Sequence, residues 1–270
     1  MKPFDREAAL AILDTAETRL TARAYVHQIA DQMKLSAADA KTVLKTLVNH
    51  RDITYQDIFG STCVIKSFQR PVQITDHFYL IPPDITGFKD RLDLHAIRLE
   101  PGISFGSGHH PTTRLCLAAL EYLFYETRPE NAMLKAAGAD IGTGSGVLAI
   151  ALCMAGISKC LAYDIDPNAV SDARKNIILN HLNDRISVLD HPLPETGPML
   201  GIVCANLRTP TLETLAPTFR RRLIPGGTLI FSGIRPWEAD ALKACFNEYM
   251  LRTVWEKTEK NWVGLVLADH

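Results

Sequence analysis

Asp140-Ile141-Gly142-Thr143-Gly144-Ser145-Gly146 closes the short apolar run Ala136–Ile141 and opens into the apolar run Val147–Met154. Strand, glycine-rich turn and helix in that order let a backbone pass close beneath a ligand, because glycine alone turns tightly without a side chain in the way. Asp164 follows at the end of the next apolar run, in AYDIDP. A carboxylate there can accept hydrogen bonds from two ribose hydroxyls. The glycine spacing separates two ligand classes. A dinucleotide fingerprint is glycine-x-glycine-x-x-glycine, and its third glycine position is Val147 here. The form present is Asp-x-Gly-x-Gly-x-Gly, which suits the zwitterionic tail of a sulfonium nucleoside better than a pyrophosphate.

Outward from this corner the pattern alternates. Cys160–Asp164 reads as a strand, Pro167–Leu182 as a helix, Ile202–Asn206 as a strand, Leu212–Leu223 as a helix and Thr228–Ser232 as a strand. Repeated strand–helix units predict an α/β fold with an open, mostly parallel, Rossmann-like sheet covered on both faces. Leu251–Glu256 and Trp262–Ala268, around Lys257–Asn261, predict an antiparallel hairpin closing one edge. Before the alternating part, residues 71–103 begin with the proline-marked PVQITDHFYLIPPDITGF and read as an extended linker, leaving 104–270 as the nucleoside-binding domain.

Residues 1–70 have another rhythm. Val26, Ile29, Ala30 and Met33 share one helix face, as do Ala40, Val43, Leu44, Leu47 and Val48. Lys34–Leu35 forms a turn, and Ser36 with Asp39 three residues on marks a helix start. Ile53–Ile58 and Thr62–Phe68 flank Phe59-Gly60-Ser61 as a hairpin. Helix, turn, helix, hairpin is the layout of a winged helix. Ten Lys/Arg against eight Asp/Glu give this segment a net charge of only +2, with Asp39 on the second helix beside Lys41 and Lys45. Groove-reading helices need a dense basic footprint. The expectation is therefore a protein-docking or dimerising module rather than a DNA reader.

The chain has 270 residues, 47% of them hydrophobic, and a formal net charge of −1, which gives no general attraction to nucleic acid or anionic membrane. No apolar run reaches the length of a membrane span and the N-terminus lacks an apolar signal core, so a cytoplasmic protein is expected. The six cysteines (Cys63, Cys116, Cys153, Cys160, Cys204, Cys245) form no CxxC pair and are expected as reduced, buried apolar side chains. Adjacent His109 and His110 rarely present both rings to one ion, and no metal site is assigned.

Four stretches carry a resemblance: RLEPGISFGSGHHPTTRLCLAAL, DIGTGSGVLAIAL, AYDIDPNAVSDARKNIILN, and IVCANL with the later LIPGGTLIFSGI. Together they resemble the seven-stranded S-adenosyl-L-methionine (SAM)-dependent methyltransferases and, among them, the bacterial ribosomal-protein lysine methyltransferase family PrmA, from about residue 72 to the closing NWVGLVLA. The resemblance implies SAM contacts at Thr113, Gly142, Asp164 and Asn206. Their motif neighbours Phe105, Gly106, Asp140, Gly144, Gly146 and Ile165 are expected to line the same site. Thr113 and Asn206 are the expected catalytic residues, aligning an amine whose lone pair faces the methyl group. Asn206-Leu207-Arg208-Thr209 lacks the Asn-Pro-Pro-aromatic form of enzymes acting on planar nitrogens, which favours an aliphatic amine.

Two departures stand out. The family's small α/β substrate domain is replaced by the winged-helix-like segment, and the family's Asn-Ile/Leu-x-Ala ends here in Thr209, with Arg208 before it. The expected function is SAM-dependent N-methylation of a protein lysine or α-amine, a ribosomal protein included. The alternatives are a small-molecule O- or N-methyltransferase with a dimerising winged helix, and a SAM-sensing DNA-binding regulator.

Overall fold

The structure, a computed structural model, describes residues 4–16, 20–58, 61–67, 71–85, 88, 94–100 and 110–269. It divides into two compact units, Met1–Arg70 and Pro71–His270.

In the first unit, helices α1 (Arg6–Thr15), α2 (Ala22–Gln32) and α3 (Ala37–Asn49) precede strands β1 (Ile53–Ile58) and β2 (Ser61–Lys66). Each helix starts at a side-chain cap: Asp5 accepts from the Ala8 amide, Thr21 from Ala24 and Ser36 from Asp39. The hairpin pairs Ile53 with Lys66 through to Ile58 with Ser61, and a single bridge joins Thr21 to Cys63. The core is Ala9, Ile12, Leu20, Tyr25, Ile29, Ala40, Val43, Leu47, Ile53 and Val64. On α2 the buried positions are Tyr25 and Ile29, with Val26, Ala30 and Met33 only packed against them. Tyr25 takes the core place because its hydroxyl can donate to the Ala9 carbonyl at 2.8 Å. The predicted second strand ends at Lys66 rather than Phe68, and Phe59, Gly60 and Phe68 lie outside the described residues.

The second unit opens with β3 (Val72–Gln73), β4 (Phe78–Ile81) and β5 (His95–Arg98), a small sheet of order β3-β4-β5. The stretch read as an extended linker thus contains paired strands, because PVQ and HFYLI meet around the bend at Thr75–His77, and HAIR joins them in parallel. Next come α4 (Pro111–Glu121), which runs on into a π-helical turn (Tyr122–Thr127), and α5 (Asn131–Lys135). The main sheet follows as β6 (Ala137–Ile141), β7 (Cys160–Tyr163), β8 (Ile186–Leu189), β9 (Leu200–Asn206), β10 (Leu223–Ile234), β11 (Leu251–Glu259) and β12 (Trp262–Asp269). Helices α6 (Val147–Ala155), α7 (Pro167–Leu179), α8 (Thr209–Arg222) and α9 (Pro236–Asn247) lie between them.

The strand order is β11-β12-β10-β9-β6-β7-β8, parallel from β10 to β8 and antiparallel where β12 pairs with β10 and β11. The reversal of strand order beside β6 marks the switch point at which open α/β sheets take their ligands. Alternation along the strands sorts the two faces. Ala139, Ile141, Val203, Ala205 and Phe231 join Leu212 and Phe219 of α8 and Leu242 and Phe246 of α9 in one core. The side chains between them, Asp140 and Cys204 among them, point to the other face.

Several expected bounds move. The helix at Pro167 stops at Leu179, because His181 takes φ 57° and the Leu182 amide turns back to the Ile177 carbonyl. The closing hairpin turns on Lys260–Asn261 alone; both residues have positive φ, as a tight two-residue turn requires. β8 and α9 were not predicted, since ISVL alternates weakly and α9 follows an unbroken run from β10. Among the described residues no helix is long and apolar enough to cross a membrane.

α7 also fixes the path into the site. Asn176, 1% exposed, accepts from the Glu100 amide at 2.8 Å and donates to the Ser145 carbonyl at 2.8 Å. One turn on, Asn180 accepts from the Arg98 amide at 2.8 Å and donates to its carbonyl at 2.7 Å. The two amides stand in for a neighbouring strand beside Arg98–Glu100 and tie that segment to the glycine-rich turn. Replacing Asn176 with Leu leaves two backbone groups unsatisfied and is expected to cost about 1–3 kcal/mol. Urea unfolding measures this, and an unchanged midpoint would show that solvent satisfies both groups.

Candidate functional site

The glycine turn is held from both sides. Gly142, Gly144 and Gly146 all have positive φ, at 70°, 55° and 81°, so each position suits glycine. The Gly142 and Thr143 amides donate to the Tyr163 carbonyl, the Gly146 amide donates back to Thr143, and Gly146 caps α6. Asp164, just past β7, accepts from the Gly144 amide through Oδ2 at 2.9 Å and from the Asp166 amide through Oδ1 at 3.0 Å. Its half-buried carboxylate therefore sits at the lip of the turn, and Ile165 beside it is 73% exposed.

Asp140, expected to line the same site, is buried at the root of the turn. It is 1% exposed, and its Oδ2 accepts from Thr143 Oγ1 at 2.6 Å and from the Ala149 amide at 3.1 Å, bracing the turn against α6. Its Oδ1 is buried and has no partner among the described residues. Burial pushes its carboxyl up to about 7, against the downward pull of the Thr143 and Ala149 hydrogen bonds.

Thr113 enters from α4. His110 caps that helix by accepting from the Thr112 amide, Pro111 occupies its first turn, and Thr113 is 1% exposed. Thr113 Oγ1 is a second buried oxygen without a partner among the described residues. Phe105, Gly106 and His109 lie outside the described residues.

Asn206 ends β9, opposite Ser232 of β10 and one residue past the Ala205–Ile141 pair with β6. The chain then turns at Leu207, whose amide donates to the Ser232 carbonyl. A Cβ on Gly142 would lie 2.6 Å from Leu207 Cδ2, and one on Gly233, at φ 88°, would lie 2.4 Å from the Leu207 carbonyl oxygen. Leu207 is thus wedged between two glycines, and Asn206 is fixed next to the turn. Gly233 was not singled out from the sequence; its signal was the glycine two residues beyond the apolar run in LIFSGI.

Sequence reading also missed the network that explains Thr209. Its hydroxyl donates to Glu238 Oε2 at 2.8 Å, and the same oxygen accepts from the Arg235 amide at 2.9 Å. The Arg235 hydrogen bond leads in holding this carboxyl below its usual range, with Thr209 adding to it. Arg235 lies over the Trp262 ring at 3.7 Å, His110 meets the same ring edge-on at 5.3 Å, and Trp237 is 74% exposed. These groups rim the side of the site beyond Asn206.

The residues fit a nucleoside with a polar amino-acid tail, on the chain's own evidence: a turn with three positive-φ glycines, a carboxylate at its lip and two buried oxygens without partners among the described residues. The sequence profile described as "Ribosomal protein L11 methyltransferase (PrmA)" matches residues 7–270. The chain belongs to that family. A ribosomal protein L11 methyltransferase of Trichlorobacter lovleyi is 41% identical over 169 residues, 63% of this chain and 54% of that protein. One of Ralstonia pickettii is 33% identical over 240 residues, 87% of this chain and 71% of that protein. The crystal structure of ribosomal protein L11 methylase from Lactobacillus delbrueckii subsp. bulgaricus superposes with a TM-score of 0.65 at 27% identity, covering 74% of this chain and all of that one. The chain spans about half the length of the first curated relatives it matches, 54% for the Trichlorobacter protein. The family match reaches into the first unit, where the resemblance read from the sequence began only at about residue 72.

Alanine at three glycines separates strain from collision. Gly226 has φ 73° and open space, so Gly226→Ala is expected to cost about 1–2 kcal/mol for the left-handed backbone alone. Gly142→Ala meets only a movable methyl, whereas Gly233→Ala meets backbone and is expected to cost about 2–5 kcal/mol. Chemical denaturation of the three variants checks this order, and equal losses would mean that the Leu207 corner yields freely.

Proposed function

We propose that the protein is a SAM-dependent N-methyltransferase of the PrmA type, acting on a lysine or α-amine of a protein substrate in the cytoplasm. The observation that carries this reading is the Leu207 corner, which holds Asn206 against the glycine turn and so sets the acceptor side of the site at a fixed distance from the donor side. SAM, bound on the glycine turn, supplies a methyl group on a sulfonium. Thr113, Gly142, Gly144, Gly146, Asp164 and Ile165 hold it, together with Phe105 and Gly106 of the preceding segment.

The chain's own work is alignment and deprotonation. In-line transfer needs no covalent intermediate, only a nucleophile positioned and kept neutral. Lysine titrates near 10.4 in water, so its amine must be desolvated to react. The Asn206 side-chain carbonyl accepts one N–H of that amine and leaves the lone pair aimed at the donor. The apolar flank of Leu207 keeps water from the same space.

The first unit is read as a winged-helix-like module, supported by its three capped helices, its hairpin and the Thr21–Cys63 bridge. With its small net charge it serves protein docking or dimerisation rather than DNA. A ribosomal protein is the substrate class the family name suggests.

The test incubates the purified protein with methyl-labelled SAM and an extract of its source, beside an Asn206→Ala variant. Label on a protein band, reduced about 100-fold or more in the variant, is the expected result for losing one positioned polar group. Label confined to small molecules would assign the protein to small-molecule methylation. No label with SAM still bound would overturn the enzymatic reading.

A further inference from the structure

The end of the sheet beside Asn206 carries two arginines whose charges are left unmatched. Arg208 follows Asn206 by two residues and is exposed. Arg235 follows Gly233, the glycine against the Leu207 carbonyl, by two residues and is half-buried. One carboxylate oxygen fixes these two turns side by side. Glu238 Oε2 accepts from Thr209, the residue after Arg208, at 2.8 Å and from the Arg235 amide at 2.9 Å. Arg208 and Arg235 thus flank Glu238, and the charge of each favours its ionised form. Neither guanidinium forms an ion pair with Glu238 or with another carboxylate among the described residues.

Other cations of the neighbouring elements are matched in place. Arg114 of α4 pairs with Glu259 at 3.0 Å, and Lys243 of α9 bridges Asp240 and Glu256 at 2.8 and 3.0 Å. Two positive charges against one carboxylate therefore leave a local excess beside Asn206. The surrounding sequence runs the other way, since residues 71–270 carry a net charge of −3.

Arg235 is also held in place. Its guanidinium lies 3.7 Å over the Trp262 ring, donates to the Asn261 carbonyl at 3.3 Å and stands 5.7 Å from the Trp237 ring. A guanidinium stacked in this way has given up much of its rotamer freedom beforehand and keeps its other N–H donors in one plane, ready for a carboxylate. Trp237, in the first turn of α9, is 74% exposed. A large exposed indole beside an unmatched arginine is the combination that dominates binding at protein interfaces.

We propose that Arg208, Arg235 and Trp237 form a docking rim for an acidic segment of the protein substrate, whose Asp or Glu side chains, close in sequence to the methylated amine, seat on the two guanidinia. This rests on the reading that the acceptor is an amine of a protein. Two residues of chain, at most about 7 Å, separate each arginine from the Leu207 corner, and the side chain adds to that reach. An extended substrate advances about 3.3 Å per residue, so carboxylates about two to four residues from the amine come within range. A nucleic-acid backbone fits worse. It asks for a dense basic footprint, and here two cations stand with a carboxylate between them.

The experiment incubates the purified full chain with methyl-labelled SAM and a limiting amount of source extract, for wild type, Arg208→Gln, Arg208→Glu and Trp237→Ala. The labelled protein is digested and its modified amine located by mass. The expected result is an Asp or Glu within about four residues of that amine. Labelling should be about fivefold slower in Arg208→Gln, the upper end for an exposed ion pair, and slower again in Arg208→Glu, where repulsion replaces attraction. Trp237→Ala should also slow it about fivefold or more. Wild-type labelling should fall as salt rises from about 50 to about 300 mM, and poly-L-glutamate should compete with it while polyuridylate does not. SAM affinity, measured by calorimetry, should stay at the wild-type value in all three variants, because none of these side chains touches the glycine turn.

A labelled amine without an acidic neighbour, unchanged rates in Arg208→Gln and Trp237→Ala, or no competition by poly-L-glutamate would overturn the docking proposal and leave the methyltransferase reading standing. Stronger competition by polyuridylate would overturn it too and assign the rim to nucleic acid. Label confined to small molecules, or no label at all, would overturn the reading of a protein acceptor and the proposal with it. The competition and salt measurements use wild type alone, and Trp237 is exposed, so the outcome does not depend on the arginine variants folding.

Discussion

The corner at Leu207 is the constraint on which the site depends. Three parallel strands, β6, β9 and β10, end side by side, and the chain leaving β9 must pass over both neighbours. It can do so only because each neighbour presents a glycine: Gly142 beneath the Leu207 side chain and Gly233 against its carbonyl. A β-carbon at Gly233 would push the backbone of the corner away and carry Asn206 with it, whereas one at Gly142 would displace the end of the Leu207 side chain. The same geometry draws the two halves of the proposed site together, since Gly142 belongs to the glycine turn and Asn206 to the end of β9. Under the proposed function, sheet packing thereby sets the distance between donor and acceptor.

A second constraint comes from α7, which substitutes for a strand. β4 runs along one edge of Arg98–Glu100, where the Leu99 amide donates to the Ile81 carbonyl, but the other edge has no strand, and the Arg98 and Glu100 amides there would otherwise need water. Asn176 and Asn180, one helical turn apart, offer an acceptor and a donor each at matching spacing. Their side chains join the segment leading toward residues 101–109 to Ser145 on the turn. The small sheet β3-β4-β5 is built in at the other end of that segment. There Glu121, the last residue of α4, accepts from Thr75 at 2.6 Å and pairs with His77, whose ring stacks on Tyr125 at 3.6 Å.

How much of this was legible in the sequence depended on whether the signal was local. The glycine turn and Asp164 could be read because each follows an apolar run and obeys a spacing rule set by backbone geometry, whereas Asn206 entered only through the family resemblance. The cap at Ser36 was legible for the same reason, as was the closing hairpin, though not its tight turn at Lys260–Asn261. Bounds were less so. Pro167–Leu182 reads helical throughout, yet a positive φ at His181, stabilised by the backbone bond from Leu182, ends the helix early. The role of Asp140 was only half visible: an acidic residue before the first glycine was recognised, but not that one oxygen is committed to Ala149 nine residues on. Asn176, Asn180 and Gly233 escaped because each answers to backbone brought near by the fold alone, and nothing within a few residues of them in the chain gives that away.

The departure at Thr209 shows how a change beside the site is absorbed. An alanine there would leave Glu238 with the Arg235 amide alone. Threonine adds a donor at 2.8 Å, so a single carboxylate oxygen now links the first residue of α8 to the N-cap of α9. Both helices begin where β9 and β10 end, and a tie between their starts keeps those strand ends in register just beyond the Leu207 corner. Arg235 in turn spends its guanidinium on the face of Trp262 and the Asn261 carbonyl, at 3.7 and 3.3 Å. The hydroxyl that looks foreign beside Asn206 is therefore committed to Glu238. It stiffens the rim beside the corner and leaves Asn206 and Leu207 without a new polar neighbour from Thr209.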